Sequence, residues 1–190
     1  MGTKEFNILD KFIAYLRYKE VLPFIKKRDK VLDFGCGYHG TFLKLIQNRI
    51  EYGVGIDYEL VDSETGNLKF INYYFSHSLP FKANTFNKVC LLAVIEHLTP
   101  DLRDRLIKEI HRVLSPKGLL IITTPTPKSK PLLEFLAFKL KIISQQEIAD
   151  HKIYYDENKL SRILHQFNFV LKFKKKFLFG LNGIYVFEKK

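Results

Sequence analysis

Apolar residues recur along the chain in two rhythms, one helical and one strand-like, and their succession predicts the order of elements. Phe6, Leu9, Phe12, Ile13, Leu16 and Tyr18 fall at helical spacing among Lys4, Lys11, Arg17 and Lys19. That predicts an amphipathic helix over 3–22, interrupted by Pro23. A short apolar run, 31–34, follows the polar connection 26–30, and helical spacing returns over 41–49. Residues 51–57 read as a second strand ending in Asp57, and 68–75, rich in aromatic and β-branched residues, as a third. Between them, 58–67 is too polar and short for a helix and reads as a single turn or loop. Val89 to Ile95 is apolar without alternation, as a strand buried on both faces should be.

The second half repeats the alternation. Thr99-Pro100-Asp101 is a helix start, with an N-cap hydroxyl, a proline in the first turn and an acid at the positive end. Leu102, Leu106, Ile107, Ile110, Val113 and Leu114 make one apolar face, and Ser115-Pro116-Lys117-Gly118 turns into a strand over 119–123. Three prolines then precede an apolar helical stretch, 132–143. Asp156 caps a helix carrying Leu160, Ile163, Leu164 and Phe167, and two alternating runs, 169–177 and 184–187, form a closing hairpin. Strands alternating with helices predict an α/β fold: a doubly wound, mostly parallel sheet, helices on both faces, and an antiparallel C-terminal hairpin strand.

Composition narrows this picture. At 190 residues, 46% hydrophobic and 14% aromatic, the chain reads as one globular domain, 1–190, with an N-terminal helical cap (1–29) and an insertion over 125–155. No apolar run reaches the ~18–20 residues of a membrane span, and Met1 to Phe6 lacks the layout of a secretory signal, so a cytoplasmic location is expected. Cys36 and Cys90 have no metal-ligand spacing, and no metal site is expected. The most concentrated contribution to the net charge of +11 is Lys172-Phe173-Lys174-Lys175-Lys176. Such a balance suits nucleic acid, an anionic membrane face, a phosphorylated substrate, or simply a solvated surface.

The chemistry centres on Val31-Leu32-Asp33-Phe34-Gly35-Cys36-Gly37-Tyr38-His39-Gly40, a strand ending in an acid and a glycine turn that opens a helix. Glycines there let backbone N–H groups approach a ligand with no Cβ in the way. The spacing also satisfies the dinucleotide pattern G-x-G-x-x-G, so the turn alone leaves the ligand open. The rest of the chain decides. The turn, Gly53-Val54-Gly55-Ile56-Asp57, Leu79-Pro80-Phe81 with Phe86, Glu96-His97-Leu98, and 111–119 with Thr123-Thr124-Pro125 follow in order. This succession resembles the class I S-adenosylmethionine-dependent methyltransferases, most of all the branch acting on small molecules and lipid- or glycan-linked substrates.

The resemblance implies a Rossmann-like, seven-stranded sheet and S-adenosyl-L-methionine as cofactor. It implies that Asp33, Gly35, Gly37 and Gly40 form the turn under the methionine portion and that Asp57, with Tyr58 beside it, holds the ribose hydroxyls. Phe75 and Ser76 stand where the family commonly places an adenine-contacting acid. Ala93 and Val94 would line the cofactor from the other side. His97 is the first candidate for a general base and His151 the second; Tyr15, Tyr18 and Tyr154 are candidates for gripping substrate. In the family the third glycine usually stands two residues after Gly37, where this chain has His39, and Asn87 replaces a customary acid. The expected activity is methyl transfer to an oxygen of a small-molecule, glycan or lipid-linked acceptor. The alternatives are an RNA methyltransferase on a basic surface and a non-catalytic cofactor-fold subunit. Peripheral contact with an anionic membrane is a further expected partner class.

Overall fold

The computed structural model describes residues 8–131 and 153–190. Helix α1 (Ile8–Val21) leads through a short 3-10 turn into β1 (Lys30–Phe34), α2 (Thr41–Ile46), β2 (Tyr52–Asp57), β3 (Ser63–Thr65) and β4 (Leu68–Asn72). Then come β5 (Phe86–Leu92), α3 (Pro100–Val113), β6 (Leu114–Pro125), α4 (Glu157–His165), β7 (Phe169–Phe177) and β8 (Asn182–Lys189). One sheet holds these strands in the order β3-β4-β2-β1-β5-β6-β8-β7. The pairs β4–β2, β2–β1, β1–β5 and β5–β6 are parallel; β8 runs antiparallel to both β6 and β7.

Alternation along the strands splits the core into two layers. Leu32, Val54, Val89, Leu91 and Ile122 face α3 and α4 through Leu106, Ile110, Leu160 and Leu164. Val31, Cys90, Ile121 and Val186 face the opposite layer, where Phe42, Leu43 and Ile46 of α2 and Val21 of α1 close the core. Period-two alternation therefore turns Asp33 toward the α1–α2 side, between two core strands. The N-caps lie where the sequence puts them. Thr99 accepts from the Leu102 N–H and Asp156 from the Lys159 N–H. Asn87, in place of the family's acid, accepts the Lys30 N–H at 2.9 Å and ties β5 to the start of β1.

Three expectations shift. The sheet has eight strands rather than seven, because Ser63–Thr65 pairs antiparallel with β4 where a turn or loop was expected. Gly66 in the left-handed region turns that edge hairpin, and three exposed side chains leave no apolar signature. The third strand stops at Asn72, not 75: the Asn72 N–H donates to Asp62 Oδ1 and its side-chain amide to the Leu60 carbonyl. The 89–95 run leaves the sheet at Leu92, since Ala93 takes φ +59° and Ile95–His97 winds into a 3-10 turn. The expected helix at 132–143 lies outside the described residues, as do the first seven residues of the cap.

Candidate cofactor site

The turn after β1 folds back over β2. The Gly35 and Cys36 N–H groups both donate to the Ile56 carbonyl, at 2.8 and 3.3 Å. The Gly37 N–H donates to Asp57 Oδ2 at 3.0 Å, and the Glu59 N–H to Oδ1 at 3.3 Å. Two backbone donors thus fix the Asp57 carboxylate while leaving each oxygen further acceptor capacity. Gly35, Gly37 and Gly40 all have positive φ, yet their surroundings differ. A Cβ on Gly35 would lie 2.6 Å from Val94 Cγ2, and one on Gly40 2.1 Å from the Phe70 ring. At Gly37 nothing stands within 4 Å. Gly37 is the glycine facing open space, whereas Gly40, named with it from the sequence, is required by packing on Phe70 and by the entry into α2.

Asp33 is almost completely buried, and its Oδ1 has no hydrogen-bond partner among the described residues. Burial first, and the nearby Asp57 charge second, push its carboxyl up to about 8. Tyr18 from α1 lies over the same spot, its ring 5.3 Å from that of Phe42. Burial and then Asp33 push its hydroxyl up to about 12. The Cys36 thiol is pushed up by burial and by both carboxylates, which leaves it unreactive as a nucleophile. Two carboxylates beside an open glycine, one with an orphaned oxygen, form a cradle suited to a ligand with a cationic end and paired hydroxyls.

The opposite wall comes from the end of β5. The Ala93 N–H donates to the Thr123 carbonyl at 2.9 Å despite the left-handed backbone, and this swings Val94 against Gly35. Such a conformation costs a β-carbon-bearing residue about 1 kcal/mol or more and concentrates at functional sites. Beyond it, His97 is half-buried, with its N–H on the Val94 carbonyl at 3.0 Å. Glu96 is fully buried: Thr124 Oγ1 donates to its Oε2 at 3.1 Å, the Ile153 N–H donates to its carbonyl at 3.3 Å, and Oε1 has no partner among the described residues. Burial pushes the Glu96 carboxyl up to about 7, against the opposing pull of its backbone hydrogen bond, of the Arg17 charge and of Thr124. Tyr155, also fully buried, accepts from Arg103 Nη1 at 3.4 Å. Arg17, Arg103 and Thr124 were not singled out from the sequence as site residues; nothing in local spacing links them to the glycine turn.

The remaining candidates are spread. Tyr58 is 40% exposed beside Asp57, and the Tyr73 N–H on the Asp57 carbonyl brings the segment after β4 alongside. There Phe75 turns inward, its ring edge-on to Phe34 at 5.7 Å, so it supports the floor from within the core rather than offering a stacking face. Ser76 is exposed, and its carbonyl accepts from Arg105 Nη1 at 3.2 Å. Tyr15 is 58% exposed on α1, one helical turn before Tyr18. Tyr154 is half-buried next to Tyr155. His151 lies outside the described residues. The extra turn residues Tyr38 and His39 line a shallow hollow of about 260 Å³ with Lys44, Leu60, Val61 and Phe70, on the side away from Val94.

Comparison with known proteins identifies the family. The family described as a methyltransferase domain matches residues 5–172. The Arabidopsis thaliana protein named "Probable methyltransferase PMT4" is 33% identical over 108 residues, covering 53% of this chain and 17% of that protein. The Mus musculus protein named "Probable tRNA methyltransferase 9B" is 34% identical over 112 residues, covering 57% and 24%. The chain therefore spans a quarter or less of the length of these two relatives. A solved structure from Pyrococcus horikoshii OT3 superposes with a TM-score of 0.69 at 24% identity, over 97% of this chain and 93% of that one, a likeness of fold. The chain belongs to the methyltransferase domain family, and within it to the class I enzymes whose cofactor is S-adenosylmethionine.

Proposed function

We propose that this chain transfers a methyl group from S-adenosylmethionine to an oxygen of a small-molecule, glycan or lipid-linked acceptor. The observation that carries the cofactor half is the cradle itself: Asp57 pinned by the Gly37 N–H, Gly37 open, and Asp33 buried with an orphaned oxygen beside it. Asp57 would accept from the two ribose hydroxyls, and Asp33 would face the cationic methionine end. Gly35 and Gly37 would let the backbone approach, and Ala93 and Val94 would form the opposite wall. Tyr58 and Ser76 would flank adenine above the buried Phe75. When bound, the cofactor supplies an electrophilic methyl group on a sulfonium.

The chain's own task is alignment and exclusion of water. Tyr18 closes the cleft from α1. His97, set just past the left-handed Ala93, is the residue proposed to take the acceptor's proton as its oxygen attacks. Glu96 acts through others: its carboxyl holds Thr124, and its backbone carbonyl holds the chain returning at Ile153.

An RNA acceptor is the second reading, favoured by the net charge and by the relative named as a tRNA methyltransferase. Against it, three lysines of the C-terminal basic run are engaged in ion pairs, Lys172 with Glu188, Lys174 with Glu157 and Lys175 with Glu20. Transfer of radiolabelled methyl groups from S-adenosylmethionine to fractionated extract decides between them. Label in the low-molecular-weight or lipid fraction, lost in His97→Ala, is expected; label in ribonuclease-sensitive material would overturn the preferred acceptor class.

A further inference from the structure

The hairpin joining β7 to β8 ends in a turn whose residue choice works against its own backbone. The Gly180 N–H donates to the Phe177 carbonyl at 3.1 Å across Leu178 and Phe179, and these take φ +50° and +54°. Asn-Gly ordinarily supplies this conformation, because a bulky side chain there costs roughly 1–2 kcal/mol per residue. Nothing is gained within the fold by keeping Phe179: it is fully exposed. An uncompensated cost that displays an aromatic ring to solvent points to a role outside the folded chain.

Its surroundings say what the partner is. Pro125 pairs with Asn182, so the tip stands at the carboxyl edge of the sheet, the same edge as the cofactor cradle. Thr126 fastens the tip to the end of β6, its Oγ1 on the Gly180 carbonyl at 2.7 Å and its N–H on the Leu181 carbonyl at 2.9 Å. Lys128, two residues on, and Lys176, just before the turn, are exposed and form no ion pair among the described residues, unlike the lysines further down β7. On α1, whose Tyr18 reaches Asp33 at this edge, Phe12 and Tyr15 are 53% and 58% exposed on the outward side.

We propose that the β7–β8 tip is a docking surface for an anionic lipid bilayer, with Phe179 entering the headgroup region and Lys128 and Lys176 facing lipid phosphates. Aromatic residues flanked by free lysines are the composition such an interface requires. A nucleic-acid track would need the consecutive lysines of β7, and two of those three, Lys174 and Lys175, are committed to carboxylates. Docked in this way, the open cleft faces the membrane surface.

The docking stands apart from methyl transfer, since neither Phe179 nor the two lysines belong to the cradle. Sedimentation of the full chain with vesicles of phosphatidylcholine and phosphatidylglycerol tests it, with cofactor titration run in parallel to read the other claim. The chain should sediment with the mixed vesicles, not with phosphatidylcholine alone, and less so as salt is raised. Phe179→Asn, which suits the left-handed backbone, should weaken partitioning about tenfold without lowering the melting temperature. Lys128→Ala and Lys176→Ala should each weaken it about fivefold. A chain that stays in the supernatant, or an F179N chain retained as well as the parent, overturns the proposal. So does release of the chain from vesicles by single-stranded RNA at equal charge concentration, or a dimer in light scattering that F179N abolishes.

Discussion

The two walls of the cleft are built by different means. On the β1–β2 side the site is mostly backbone: three glycines, a turn folded over Ile56, and Asp57 held by two main-chain N–H groups. On the β5–β6 side it is side chains gathered from distant segments: Glu96 with Thr124, Tyr155 with Arg103, and the charge of Arg17 from α1. The first wall can recognise a ligand present in every turnover, because its geometry is inseparable from the fold. The second can be altered one residue at a time, which suits the wall proposed to meet the acceptor. Binding should therefore depend on the first wall and rate on the second.

The largest expected effect lies on the second wall. His97→Ala should lower the methyl-transfer rate by about 10²–10⁴-fold with a hydroxyl acceptor while leaving cofactor affinity as it was, read by steady-state kinetics beside calorimetry. A comparable loss of affinity would mean that the two walls are not separable. Next is Gly37→Ala. Its Cβ meets only open space and adds about 1 kcal/mol of left-handed strain, so the chain should stay folded while cofactor affinity drops about hundredfold. Gly40→Ala is its counterpart: with Phe70 2.1 Å away, it should chiefly lower the melting temperature.

Asp33→Asn divides stability from function. The folded chain holds the Asp33 proton up to about pH 8 against an ordinary value of 3.8, so the folded state binds more protons than the unfolded state between them. Stability from this group is fully present below about 4 and is lost as pH rises through 8. The neutral amide should raise the melting temperature near pH 8 and remove that slope, yet weaken binding of the cationic cofactor. In the parent chain, affinity should increase as pH approaches 8, where Asp33 ionises. The smallest effect is that of Glu96→Gln, which should flatten the fall in stability between about 4.5 and 7, by the same sign, with cofactor affinity unchanged. Melting curves across pH check both substitutions.

How much was legible follows from how local each feature is. The glycine turn and the caps at Thr99 and Asp156 are set within a few residues, and spacing alone reveals them, whereas Asp57, 20 positions from the Gly37 N–H that it accepts, follows from the family resemblance. Thr124 meets Glu96 across 28 positions and Arg103 meets Tyr155 across 52, so only the fold shows that wall. Ala93 and Phe75 were placed in the right segments but given the wrong geometry, because an apolar run does not announce a left-handed residue or an inward turn. The lysine run was visible as charge, while its pairing with Glu20, Glu157 and Glu188 was not. Phe179 passed unremarked, since a lone Phe in a hairpin reads as core until its exposure is known.

The central claim is that the open glycine and its two aspartates hold S-adenosylmethionine, and calorimetric titration of the cofactor into the full chain tests it most directly. Saturable one-to-one binding in the micromolar range, abolished by Asp57→Ala in a chain that melts as the parent does, is the predicted result. No binding below millimolar concentration, or binding that survives both Asp57→Ala and Gly37→Ala, would contradict it.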